Sequence, residues 1–266
     1  SNATGTTITL SGKLTSIGTG QVNVAPYKLE DASDAQSEFP GITLWLDAAD
    51  SGSMTASGGN ITIWENKVDD TVKMYPGYGG YTDAPSMDGS INGKTAIKFH
   101  GNEFLQAKKT SSSGAAWNPL GVNGATNSNY GDFAVIFVSQ TLNTQWNNGP
   151  FNFGWEGHIP GGNRYIYWDY PTHGNTRIQV GQITDNEPFL LSLYGSTTEN
   201  KRILSWDGAE YSGTPAQDTL VGGFYLPYNV AAQNALFAEM LVIKGTMTDS
   251  ARHRAEGYLA HKWGID

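Results

Sequence analysis

The sequence predicts an all-β protein, a sandwich or barrel of many short strands with one short amphipathic helix at its C-terminal end. Three observations predict it. Charged residues make up 15% of the 266-residue chain, against about 25% in an average domain, while glycine contributes 33 residues and aromatics 12%. Short apolar runs recur along the chain, bounded by Gly, Asn, Asp and Ser, as strands in a sandwich or barrel are. Only near the C-terminus does the apolar period change to that of a helix.

The elements follow in chain order. Ser1-Asn2-Ala3 reads as the remnant of an expression tag. Thr6 to Leu10 alternates polar and apolar, which predicts a half-buried strand pairing at a sheet edge. Residues 30–38 are acidic and poor in large apolar side chains, so residues 4–38 are expected to be an N-terminal strand followed by an acidic linker or exposed loop. The main domain is then 39–266. Ile42–Leu46, Asn60–Trp64, Thr95–Phe99, Glu103–Leu105, Tyr165–Trp168, Arg177–Val180 and Phe189–Leu193 are strand-like. Phe133–Val138 has no polar face, so it belongs in a sheet covered on both sides. Arg202–Trp206 runs into Asp207-Gly208, a hairpin signal because both turn residues tolerate positive φ. Leu236–Ile243 is the last strand. Thr248 caps the helix, Asp249 supplies charge to its first turn, and Gly264 stands at its C-terminal stop. Ala255, Leu259 and Trp263 share the face expected to be buried.

Composition excludes several classes. The chain has no cysteine, which removes disulfides, thiolate metal sites and cysteine catalysis. Its net charge of −9 argues against nucleic acid and against anionic membranes, because both need Lys and Arg to meet phosphate. No apolar run approaches the roughly 20 residues of a membrane-spanning helix, so no direct membrane insertion is expected. There is no G-x-S-x-G elbow and no glycine-rich phosphate loop. The histidines at 100, 158, 173, 253 and 261 lack zinc-ligand spacing. Asn60-Ile61-Thr62 is a lone glycosylation sequon.

Four stretches carry a resemblance. They are Leu44-Trp45-Leu46-Asp47-Ala48-Ala49-Asp50; Ile63-Trp64-Glu65-Asn66-Lys67; Ala96-Ile97-Lys98-Phe99-His100-Gly101 after Pro85; and Phe237-Ala238-Glu239-Met240 with Glu256-Gly257-Tyr258-Leu259-Ala260-His261-Lys262-Trp263-Gly264. In this order they resemble the laminin-G-like jelly-roll domains of bacterial and viral surface proteins, within the concanavalin A-like lectin/glucanase superfamily. His158-Ile159-Pro160, Tyr165-Ile166-Tyr167-Trp168-Asp169 and Arg177-Ile178 resemble a central motif in a subset of them. The resemblance implies a two-sheet antiparallel jelly-roll sandwich. It further implies a non-catalytic recognition or adhesion module, located outside the cell or on a virion, whose partner is a glycan or cell-surface polysaccharide. A structural surface domain without a small ligand, and a divergent glycoside hydrolase or lyase, are the alternatives, because one fold hosts many functions.

The residues were weighed against those readings. Glycosidases of this sandwich class carry E-x-D-x-x-E on one strand, which puts their carboxylates on one face. That motif is absent, and Glu199, Glu210 and Glu239 have no partner acid two or four residues on. Glu239, alone in an apolar strand, is expected to be a buried carboxylate satisfied by backbone N–H groups or by Arg252 or Arg254. Asp47 and Asp50 have two readings, turn formers or a calcium pair. EF-hand spacing is missing, and no cofactor is required. The stretch from Trp146 to His173 interleaves aromatics with amides and acids, the mixture sugars need for stacking and for hydrogen bonds. Within it the expected carbohydrate contacts are Trp146, Asn147, Trp155, Asn163, Asp169 and Tyr170.

Overall fold

The computed structural model describes residues 7–8, 14–15, 29–77, 82–121, 131–143, 151, 156–158, 163–169, 177–213, 223–227 and 234–265. The first elements are β1 (Thr7–Ile8) and β2 (Leu14–Thr15), which pair with each other among the described residues, then α1 (Ala32–Glu38). Next come β3 (Ile42–Asp47), a 3-10 turn (Ser51–Ser53), β4 (Met54–Ser57), β5 (Asn60–Glu65), β6 (Val72–Pro76), β7 (Ser86–Ile91), β8 (Lys94–His100) and β9 (Leu105–Lys109). The second half holds β10 (Phe133–Asn143), β11 (Glu156–His158), β12 (Tyr165–Asp169), β13 (Ile178–Gln182), β14 (Pro188–Ser196), β15 (Lys201–Trp206), β16 (Ala209–Gly213), β17 (Tyr225–Leu226), β18 (Asn234–Lys244) and α2 (Asp249–Trp263).

Strand pairing is antiparallel throughout these elements. The large sheet runs β16-β15-β14-β10-β18-β8-β7-β5-β6-β9-β17, with β3 also on β18 and β4 on β5. β18 is the seam. Its residues Asn234 to Phe237 pair with β8, and Glu239 to Ile243 pair with β3. Ala238 lies between the two registers, where β10 also slips from Val138↔Glu239 to Ser139↔Phe237. That is a β-bulge, which bends and re-aims a strand. The two halves of the sheet close over one apolar interior. Trp64 of β5 meets Phe237 of β18 edge-on at 6.3 Å, and Phe237 stacks on Phe137 of β10 at 5.8 Å. The result is a β-sandwich.

β10 shows why its sequence has no polar face. Phe133, Val135 and Phe137 point into the sandwich interior, while Ala134, Ile136 and Val138 join a second cluster with Ala255, Tyr258, Leu259 and Trp263 of α2. The helix therefore covers the outer face of the sheet. Thr248 Oγ1 accepts from Ala251 N–H and Gly264 closes the helix at φ 64°, both as the sequence predicts. Asp207 and Gly208 also adopt positive φ, forming the hairpin turn between β15 and β16.

Two expectations are corrected. Residues 32–38 are a helix rather than a loop. Asp31 accepts from Ser33 and Asp34 N–H groups, and Ala35 and Phe39 anchor the segment in the helix-side cluster. Low apolar content does not prevent a helix that is capped and pinned at two points. The N-terminal strand pairs in its own two-residue ladder instead of extending the edge of the large sheet.

Candidate functional site

Most of the resembling sequence stretches converge on one buried carboxylate. The bulge at Ala238 turns Glu239 toward α2, where it is wholly buried. Its Oε1 accepts from Trp45 Nε1 and from Tyr258 OH, both at 2.8 Å. Its Oε2 accepts from Trp263 Nε1 at 2.8 Å and pairs with Lys262 Nζ at 2.6 Å. Lys262 also reaches Asp47 at 2.8 Å, Lys67 reaches Asp47 at 3.3 Å, and Lys67 meets Asp50 at 2.7 Å. The groups thus alternate in sign along a chain: Asp50, Lys67, Asp47, Lys262, Glu239. Burial, then the nearby Asp47 charge, pushes the Glu239 carboxyl above its ordinary range. Lys67 beside Asp50 holds that carboxyl below its own.

This corrects the expected partners of Glu239. Arg252 instead pairs with Glu256 at 2.9 Å and with Glu210, and Arg254 pairs with Glu38. The helix does supply the countercharge, but from its last turn. Asp47 and Asp50 are brought together, and lysine ammoniums engage their oxygens. Asp50 also accepts from Gly52 N–H at 3.0 Å, the turn-forming role. Among the described residues no three His, Asp or Glu side chains gather as a metal cluster. Asn66 completes the region. It accepts from Trp45 N–H at 2.9 Å and donates to the Thr43 carbonyl at 3.0 Å, sealing the free edge of β3.

The aromatic stretch lies elsewhere, on a three-stranded sheet of β11, β12 and β13. Ile166, Trp168, Ile178 and Val180 of this sheet face the sandwich interior. The opposite face carries Tyr165, half-buried, and Tyr167, which is buried, with ring centroids 6.1 Å apart. Asn163 is exposed and donates to Tyr167 OH at 2.5 Å. Gln182 donates to the Asn163 carbonyl at 2.9 Å, and the Arg177 guanidinium lies 4.3 Å from the Tyr167 ring. Arg164 pairs with Asp185 at 2.6 Å. The ladder sets Glu156 opposite Asp169, His158 opposite Tyr167, and Gln179 opposite Tyr167 on the other side.

Of the expected sugar contacts, Asn163 stands on this face and Asp169 ends β12. Trp146, Asn147, Trp155 and Tyr170 lie outside the described residues. Sequence reasoning missed the juxtaposition of Glu156 with Asp169, because residues far apart in sequence meet only through the ladder. It also passed over Gln179, though its spacing of two from Arg177 was visible within a strand-like run, and Gln182, which a register shift in the ladder brings opposite Tyr165.

Fold and site together define an antiparallel β-sandwich with its helices on one outer face and a small polar-aromatic sheet beside it. No protein-family model matches the chain, and no curated protein matches it in sequence. Solved structures share the fold. Trypanosoma rangeli sialidase in complex with sialic acid superposes with a TM-score of 0.52 at 13% identity, over 85% of this chain and 34% of that one. The binding domain of botulinum neurotoxin DC in complex with SialylT gives 0.51 at 9% identity, over 83% of this chain and 52% of that one. The chain therefore spans about a third of the sialidase's length. At these identities the likeness is one of fold.

Proposed function

We propose that the protein is a non-catalytic carbohydrate-recognition module of a secreted, cell-surface or virion protein. Its binding surface is the outer face of β12 and β13. One observation carries this reading: Tyr165, Asn163, Gln179, Gln182 and Arg177 are exposed or half-buried on the side of β12 and β13 turned away from the core, with the buried Tyr167 ring beneath Arg177. Tyrosine rings offer apolar faces to sugar C–H groups, and amides offer both donors and acceptors to hydroxyls. The two structural neighbours support it in kind, since one is in complex with sialic acid and the other with SialylT. The laminin-G-like resemblance agrees, although its motif residues are largely spent on the Glu239 network.

A glycan array on the purified protein, with and without calcium, tests this reading. Tyr165→Ala should weaken a bound glycan by about 1–3 kcal/mol, by analogy with base–aromatic stacking. Unchanged affinity in a folded variant would move the site elsewhere.

A second reading, glycoside hydrolysis, is favoured by one observation. Glu156 and Asp169 are direct backbone partners in the antiparallel ladder of β11 and β12, which sets two acidic residues side by side. The non-catalytic reading expects no reducing-end release from laminarin, xylan or arabinan. Release that disappears in Glu156→Gln would establish the second reading instead.

A further inference from the structure

Asp47, Lys262 and Glu239 meet as the reactants of an amide bond. Lys262 Nζ lies 2.8 Å from Asp47 Oδ2 and 2.6 Å from Glu239 Oε2. Both carboxylates are buried, Glu239 wholly, and the Lys262 side chain is only 20% exposed. Trp45, Tyr258 and Trp263 enclose the Glu239 end of the group through their hydrogen bonds to it. Taking an ammonium and two carboxylates out of water carries a desolvation penalty that their attraction offsets only in part. A neutral amide formed from one such pair removes that penalty. Groups held in contact also react at an effective concentration far above any reached in solution.

The neighbours of Asp47 suit attack on its carboxyl carbon. Oδ1 accepts from Ala49 N–H at 3.1 Å, and Oδ2 faces the Lys67 ammonium at 3.3 Å. A donor on each oxygen stabilises the negative charge that a tetrahedral centre places there. Lys67 is the poorer nucleophile, because it stands farther from Asp47 and Asp50 pairs with its ammonium at 2.7 Å. Glu239 is the poorer acyl group. Each of its oxygens accepts from an indole N–H, and an amide would leave only one oxygen for the two. Glu239 instead suits the carriage of a proton. It touches Lys262, and burial, reinforced by the Asp47 charge, favours its protonated form.

We propose that Lys262 and Asp47 join in an intramolecular isopeptide bond, made by the folded chain itself with Glu239 as the acid and base. The Lys262 ammonium passes a proton to Glu239. The lone pair of the neutral amine then forms the bond from Nζ to Asp47 Cγ. Glu239 gives its proton to the departing Asp47 oxygen, and the second amine proton follows by the same route. The Cγ–O bond breaks, one water leaves, and Glu239 ends as the carboxylate it began. The bond ties β3 to the last turn of α2, in a sequence without cysteine. Like a disulfide, it restricts the unfolded chain across a long loop. It is independent of the carbohydrate reading.

Mass spectrometry of the purified, denatured protein tests it. The wild type should weigh one water less than its sequence. Trypsin should release residues 29–67 joined to residues 255–266, uncut after Lys262, with the link at Asp47 and Lys262. Lys262→Arg and Asp47→Ala should carry the full mass of their sequences. So should Glu239→Gln, whose amine and Asp47 carboxylate stay an ion pair. A wild type of full mass overturns the proposal, whether or not any variant folds. So does a deficit that persists in Lys262→Arg, as a succinimide at Asp88-Gly89 or Asp207-Gly208 would leave. A link from residues 203–244 would make Glu239 the acyl group, and one within residues 29–73 would make Lys67 the amine. Either overturns the pairing. Full loss of the water in Glu239→Gln overturns the role given to Glu239.

Discussion

Glu239 holds together four side chains, Trp45 of β3 and Tyr258, Lys262 and Trp263 of α2, and its geometry dictates how it fails. Both oxygens face obligate donors: Trp45 Nε1 on one, Trp263 Nε1 and Lys262 Nζ on the other. A glutamine can turn an acceptor toward only one side, leaving its amide N–H against a donor on the other. It also leaves Lys262 with less countercharge inside an apolar cluster. Breaking a buried pair by removing one partner costs about 3–5 kcal/mol, so Glu239→Gln should lose that much in a denaturant titration. A smaller loss, under about 1 kcal/mol on the scale of exposed pairs, would mean the network is solvated. Asp207 behaves differently. Burial raises its carboxyl to about 6, opposed only by the hydrogen bond from Leu190 N–H. A raised carboxyl means that the folded protein binds the proton more tightly than the unfolded chain. Stability from this group is therefore highest near pH 4 and falls as pH rises toward 6. Asp207→Asn keeps the acceptor and suits a positive-φ turn, so it should stabilise at pH 7. The gain should be about 1–2 kcal/mol, below the full shift because the group is partly solvated. It should vanish near pH 4. A gain that is the same at both values would assign it to turn propensity alone.

The helix α2 illustrates what a sequence shows and what it withholds. Its caps and its apolar face were legible, because capping and period are local. Trp263 is fully buried, as the face containing Leu259 requires. That the same indole also donates to Glu239 was not legible. The contact depends on a bulge at Ala238 in another strand, and a bulge leaves no mark in an apolar run. The same division holds elsewhere. Asp207-Gly208 announced its hairpin, and Asn92-Gly93 would have announced β7 and β8, since both residues take positive φ there. By contrast α1 rests on one capping aspartate and two buried anchors, too little for periodicity to register. Of the expected sugar contacts, Asn163 was recoverable from composition, whereas the Glu156–Asp169 pairing exists only in the ladder. The prediction for the helix follows from packing. Trp263→Ala opens a cavity and removes one of the two donors on Glu239 Oε2, so it should cost at least the roughly 3–5 kcal/mol of a large-to-small core change. Melting unchanged from the wild type would show α2 to be dispensable to the sandwich.

At the scale of the molecule, charge separates ligand classes that the fold leaves open. The chain carries 16 basic and 25 acidic residues, a net charge of −9, so its long-range field repels anionic polymers. The tyrosine face does not reverse that field locally. Arg164 is paired with Asp185, and Arg177 lies over the Tyr167 ring. On the proposed carbohydrate reading, stacking and neutral hydrogen bonds supply the affinity, and salt screens both of them weakly. Binding of a neutral oligosaccharide should accordingly change by less than about twofold between low and high ionic strength, whereas a sulfated chain should be rejected at low salt and tolerated only as screening grows. Calorimetric titration of matched neutral and sulfated oligosaccharides across a salt series measures both. Preferential capture of the sulfated chain at low salt would move the binding surface away from the tyrosine face.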